Sequence, residues 1–252
     1  MTLIATAVSQ YGIVLAADPS LTSYPGHFAP GRRVFKLGFG NAALSVTGGY
    51  EVAGERLDQW MAATIDDYKR TAKRPSLSAF VGQLRERLTF QRDPIRRRAI
   101  HVAGYVGHGT RAHPEVYYLR NIRGRAADGG YGRPGREFTV SEVFWSLDYR
   151  RAETRDTLRE GGSRMYLDGF PEKRIAYMLL HKRIHEFYAQ VWRSGSKMFH
   201  RPHSLEDIAS LVELDMRVAA TFLVTGDNGL GRAGDSLEVE VLPALANTNR
   251  FS

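Results

Sequence analysis

A chain that begins Met1-Thr2 carries in its second residue a group that could act as a nucleophile without help from a histidine. Threonine is small enough to follow an initiator methionine that is removed. A chain starting at Thr2 would then hold a free α-amine beside its own secondary hydroxyl. That amine titrates at roughly 7.7–8.0 when unperturbed, so near neutral pH part of it is an unprotonated base tied to the hydroxyl it must deprotonate. Many chains begin with the same two residues and do no such chemistry, so the surroundings decide. The apolar run "GIVLAAD" ends abruptly on the charge of Asp18. Two other sets of residues could also do chemistry. "HKRIHE" puts His181 and His185 at i and i+4 on one face of a predicted helix, with His200 and His203 following. Such pairs can bind zinc, but the motif is not H-E-x-x-H and surface histidines are common, so no metal is expected. "GYGRPG" and "GLGRAG" lack both the preceding strand and the lysine of a phosphate loop, and they read as plain loops. No cofactor is expected.

The elements that must position Thr2 and Asp18 are legible nearby. Residues 2–9 and 11–18 read as two strands joined at Gln10-Tyr11-Gly12, the second an unbroken apolar run of the buried kind. A Pro- and Gly-rich loop follows, then "RRVFKLG" and "NAALSVTGG" as a second pair turning at Gly38-Phe39-Gly40. A helix is predicted over residues 50–71, with Gly48-Gly49 at its start, where backbone N–H groups are unpaired. A second helix follows Pro75, capped by Ser76 or Ser78. "AIHVAGYVG" and "EVYYLRNI" form another strand pair, and 123–136 is a loop. "EFTVSEVFWSLDY" is open between strand and helix. Long helices are predicted over 171–193, with Pro171 in the first turn, and over 204–222. "SLEVEVL" is a closing strand. Apolar rows on the first of these helices (Ile175, Leu180, Ile184, Phe187, Val191) suit core or intersubunit packing. Nothing reads as a linker or a repeat, so one domain over residues 1–252 is expected, with helices covering antiparallel sheets in four layers.

The chain has 252 residues, 43% hydrophobic and 25% charged, which suits a soluble globular protein. No run approaches the roughly 18 apolar residues of a membrane helix, and no basic segment precedes the first apolar run, so the expected location is cytoplasmic. The absence of cysteine excludes disulfides, thiolate metal sites and cysteine nucleophiles. The net charge of +8 comes mostly from arginine clusters such as "DPIRRRAI" and "DYRRAETRD". Such clusters suit an acidic partner, or solubility and salt bridges between subunits. No aromatic-interleaved nucleic-acid motif accompanies them.

Taken in order, "TLIATAVSQYGIVLAAD", Arg32-Arg33 before "VFKL", and "ALSVTGG" before a helix make a pattern. It resembles the start of a proteasome β subunit and, equally, the bacterial proteasome-like threonine peptidases such as the Anbu group. The likeness covers about the first 70 residues well, extends to the strand pair around "HVAGYVG", and is thin beyond 123. It implies the αββα sandwich of N-terminal nucleophile hydrolases. It implies that Thr2 Oγ is the nucleophile, that Asp18 lies beside it across the first strand pair, and that the Gly48 N–H points into an oxyanion hole. The family's lysine falls at Arg33. Arginine keeps the charge, and can bias the amine toward its neutral form, but it does not give up its proton. Lys36 lies on the opposite face of the strand and does not replace it. The family's later aspartate falls at Asp227, and its serine after the central strands has Ser163 as the nearest candidate.

The resemblance therefore implies a threonine-type peptidase acting on a peptide or other amide, in a ring or helical homo-oligomer, with or without a partner ATPase. A catalytically silent subunit on the same scaffold is the alternative, because of Arg33. A basic nucleic-acid-binding protein is the third.

Overall fold

A computed structural model of the chain describes residues 3–18, 31–91, 96–107, 112–122, 133–144, 163–168, 171–193, 202–225 and 237–245. The first strands are as expected: β1 (Ile4–Ser9), β2 (Gly12–Ala17), β3 (Val34–Lys36) and β4 (Ala42–Gly48). The next element is not. Where a helix was expected from residue 50, the chain makes a tight hairpin of β5 (Glu51–Val52) and β6 (Glu55–Arg56), and helix α1 begins only at Leu57 and runs to Thr71. The turn of that hairpin is Ala53-Gly54, both at positive φ (54° and 77°), the backbone that two-residue hairpins need. The apolar spacing of Val52 and Leu57 fits a helix equally well, and that is why periodicity misses the hairpin. Gly48-Gly49 is accordingly not a helix start.

Helix α2 (Leu77–Thr89) opens as expected at Ser76, whose Oγ accepts a hydrogen bond from the Ala79 N–H at 3.3 Å. Replacing this cap by alanine should cost about 1 kcal/mol. A urea titration of Ser76→Ala against wild type checks this, and a difference near zero would show that solvent caps the helix as well. The chain continues through β7 (Arg98–Val106), β8 (His113–Ile122) and β9 (Pro134–Phe144). Residues 134–136, expected in a loop, belong to β9, and the open segment after 137 is strand as far as Phe144. Then come β10 (Ser163–Asp168), α3 (Pro171–Arg193), α4 (Leu205–Thr225) and β11 (Glu238–Pro243).

The result is an α+β fold in which every strand pair among the described residues is antiparallel. One sheet has the order β10-β1-β2-β11 and the other β3-β4-β7-β8-β9. Period-2 alternation distributes the side chains. Ile4, Val8, Ile13 and Leu15 of the first sheet share a cluster with Val34, Ala43, Ala103 and Val116 of the second. Their chain neighbours turn the other way. Leu44, Val46, Ile100 and Val102 meet Leu57, Met61, Phe80 and Leu84 from α1 and α2. Ala5, Ala7, Val14 and Ala16 meet Leu205, Ile208, Val212 and Met216 from α4. Small alanines on that face of β1 and β2 let the helix approach closely. No helix among the described residues is long and apolar enough to cross a membrane.

Candidate active site at the start of β1

The register of β1 and β2 determines what surrounds the first residues of the chain. Ile4 pairs with Ala17, and the ladder runs one step further, with the Asp18 N–H donating to the Leu3 carbonyl at 2.9 Å. Asp18 is thus held at the end of β1 from which the chain leads back to Thr2, and it is buried (3% exposed). Thr2 itself lies outside the described residues, as does Asp227.

Arg33 comes to the same end of the sheets. It is 2% exposed, and its Nη1 donates to the Gly48 carbonyl at 3.1 Å. Its guanidinium lies over the Tyr50 ring, 4.8 Å from the centroid. Burial pulls its pKa down to about 10, while the negative groups around it, Glu238 and Asp18 among them, work in the opposite direction. At neutral pH it is therefore still a cation. It can attract an anion or disfavour a second positive charge, and it cannot act as a proton shuttle. Lys36, three residues on, is committed elsewhere, to Glu240 at 3.1 Å.

Two acids complete this end of the molecule, and sequence reasoning missed both. Glu238 on β11 accepts from the Arg33 N–H at 2.6 Å and the Val34 N–H at 2.8 Å. One carboxylate thereby ties the edge strand of one sheet to the edge strand of the other. The alternation of "SLEVEVL" signalled a strand, not where its Glu positions would reach. Glu238 and Glu240 both reach β3. Asp168, the last residue of β10, pairs with Ile4 on the opposite side of β1 from Ala17, and it is 3% exposed. Its place before Gly169 and Pro171, at a strand-to-helix turn, was the available signal. Ser163 lies at the wrong end of β10: it pairs with Ser9, at the far end of β1 from Leu3.

Gly48 is also needed for a structural reason. Its φ is +104°, and a Cβ there would stand 2.1 Å from the carbonyl oxygen of Arg97, the residue just before β7. The Gly49 N–H donates to that same carbonyl at 3.3 Å. Gly48 is required by a close backbone approach, and its own carbonyl holds Arg33.

The two histidines of the predicted sets whose side chains are described each pair with a carboxylate. His181 Nδ1 lies 2.5 Å from Asp215, joining α3 to α4, and His203 pairs with Asp207 at 2.7 Å. The side chain of His185 and all of His200 lie outside the described residues. Among the described residues no group of three or more His, Cys, Asp or Glu is placed to hold a metal ion. A histidine that sequence reasoning passed over, His101 on β7, is wholly buried between the sheets. Its Nδ1 is 3.0 Å from Thr6 Oγ1, and its ring stacks on Tyr118 at 4.1 Å. Burial pulls its pKa from 6.5 to about 3, so it is neutral.

No protein-family model matches this chain, and no curated protein matches it.

Proposed function

We propose that the chain is an N-terminal threonine amidohydrolase of the N-terminal nucleophile type, most simply a peptidase of the proteasome-like kind. The observation that carries the reading is that Asp18 is bonded to Leu3 and close enough for its charge to act on Arg33, which in turn holds the Gly48 carbonyl; the family resemblance singles out these three positions, far apart in sequence. The three apolar clusters support helix–sheet–sheet–helix layering, the αββα sandwich, as a single domain. A cytoplasmic homo-oligomer, ring or helical, is part of the same proposal.

In the proposed reaction Thr2 Oγ attacks the substrate carbonyl carbon while its proton passes to the Thr2 α-amine, directly or through water. The tetrahedral adduct collapses, the C–N bond breaks, and the leaving amine takes that proton. Water then cleaves the acyl ester and regenerates the hydroxyl. Arg33 biases the α-amine toward the neutral, basic form by charge repulsion. Asp18 keeps Arg33 charged and oriented.

Intact-mass measurement should show a chain lacking Met1. Incubation with a β-lactone should add one equivalent of mass on the Thr2-containing peptide, and none in Thr2→Ala. Retention of Met1, or an adduct that survives Thr2→Ala, would sink the proposal. Loss of Met1 without any adduct would favour the second reading, a catalytically silent subunit. What favours that reading is the fixed charge of Arg33, which cannot hand on a proton as the family's lysine can.

A further inference from the structure

We infer that Tyr50 is a positioning residue that clamps the Arg33 guanidinium in place, so that this site is built for arginine and not for lysine. This rests on the reading of Thr2 as the N-terminal nucleophile. Arg33 is held along one edge by the Gly48 carbonyl, at 3.1 Å, and on one face by the Tyr50 ring, at 4.8 Å. A planar guanidinium meets both at once, donating from its edge while its face lies on the ring. An ammonium can make either contact, but as a compact point charge on a flexible stem it is held less rigidly by the pair.

Tyr50 is itself fixed from three sides. The Gly31 backbone packs so closely that a Cβ there would fall 1.6 Å from the tyrosine oxygen. The Arg56 Nη2 donates to that oxygen at 3.4 Å, and the Arg56 guanidinium lies 5.8 Å from the Tyr50 ring centroid. Arg56 in turn is tied to Asp58 by two hydrogen bonds, at 3.1 and 2.7 Å. The Tyr50 carbonyl accepts from the Leu57 N–H at 2.8 Å, which closes the hairpin beneath the ring. The β5–β6 hairpin that displaces the first turns of the expected helix therefore has a use. It carries Tyr50 on one side and Arg56 on the other, and it delivers the ring to Arg33. A helix starting at residue 50 would have separated them.

The consequence is electrostatic. A cation held at a fixed place near the start of β1 lowers the α-amine pKa of Thr2, and a cation free to swing toward solvent lowers it less. The test reads that pKa without needing catalysis. The Thr2 α-amine is labelled with an acylating reagent over a pH series, and labelling is read from the mass of the N-terminal peptide. Tyr50→Leu, which keeps the bulk and removes the ring face, should move the labelling midpoint up by about half a unit or more. Tyr50→Phe should restore it to near the wild-type value, because the ring face remains. Arg33→Lys should move it up as well, since the clamp holds a flexible ammonium less firmly. An unmoved midpoint in Tyr50→Leu overturns the inference, even if that variant is less stable. If the midpoint moves as expected but wild type forms no β-lactone adduct, the hydrolase reading fails and the clamp stands. Retention of Met1 overturns both.

Discussion

Between pH 7 and pH 4.5 the protein should lose about 2.5 kcal/mol of stability through His101 alone. In the folded state burial holds this imidazole neutral down to about pH 3, whereas in the unfolded chain it takes up a proton near its ordinary value of 6.5. Over the window from 6.5 to 3 the unfolded state binds the extra proton. Stability therefore falls as the pH drops through that window and is fully present above it. The environment gives the proton nowhere to go. The ring is sealed between the sheets, stacked on Tyr118, and its Nε2 has no hydrogen-bond partner among the described residues. Chemical denaturation at pH 7 and pH 4.5 measures the loss. His101→Phe keeps an aromatic ring against Tyr118 and removes the titration. It should be less stable at pH 7, because Thr6 Oγ1 loses its partner, but its difference between the two pH values should be smaller than that of wild type by about 2.5 kcal/mol. Equal pH dependence in the two proteins would mean that water or a carboxylate reaches the ring.

Gly48→Ala should be among the most damaging glycine substitutions at the described residues, costing more than about 3 kcal/mol or preventing folding. Two penalties combine. The backbone sits at φ +104°, which an L side chain rarely adopts, and the new Cβ would lie 2.1 Å from the Arg97 carbonyl oxygen. The obstacle is backbone, at the end of the central pair β4 and β7, so relief requires the two strands to part. The same movement takes the Gly48 carbonyl from Arg33 and so disturbs the candidate site. Gly54→Ala separates the two penalties. Its φ is +77°, but nothing lies within 4 Å of the added atom, so only the conformational cost of about 1 kcal/mol remains. Thermal or urea unfolding of the two variants side by side is decisive. Similar losses would mean that β4 and β7 can open at Gly48 without cost.

The parts of this protein that could be read directly from the sequence are those governed by neighbours along the chain. Alternation and apolar runs located β1, β2, β4, β7 and β8, and helical spacing with Ser76 and Pro171 located α2 and α3. The proposed partners of Thr2 were singled out only by a family resemblance; the fold then brought Asp18 and Arg33 to the end of β1 that leads to it. The misreadings cluster where two local patterns have equal weight. Val52 and Leu57 suit a helix as well as a hairpin, and only the positive-φ turn at Ala53-Gly54 separates them. Residues 134–136 look like loop, yet they extend β9 because β8 offers them a ladder.

What only the tertiary structure decided is which groups meet across the sheets. Glu238 reaches the Arg33 and Val34 N–H groups from the opposite end of the sequence. Asp168, not Ser163, flanks the start of β1, because the β1–β10 register puts Ser163 opposite Ser9. His101 is sealed against Thr6, 95 positions away, and Tyr50 lies on Arg33. The physical reason is the same in each case. Periodicity is a property of a few consecutive residues and survives in the bare sequence, whereas register and facing depend on pairings between strands distant in the chain, which exist only once both sheets have formed.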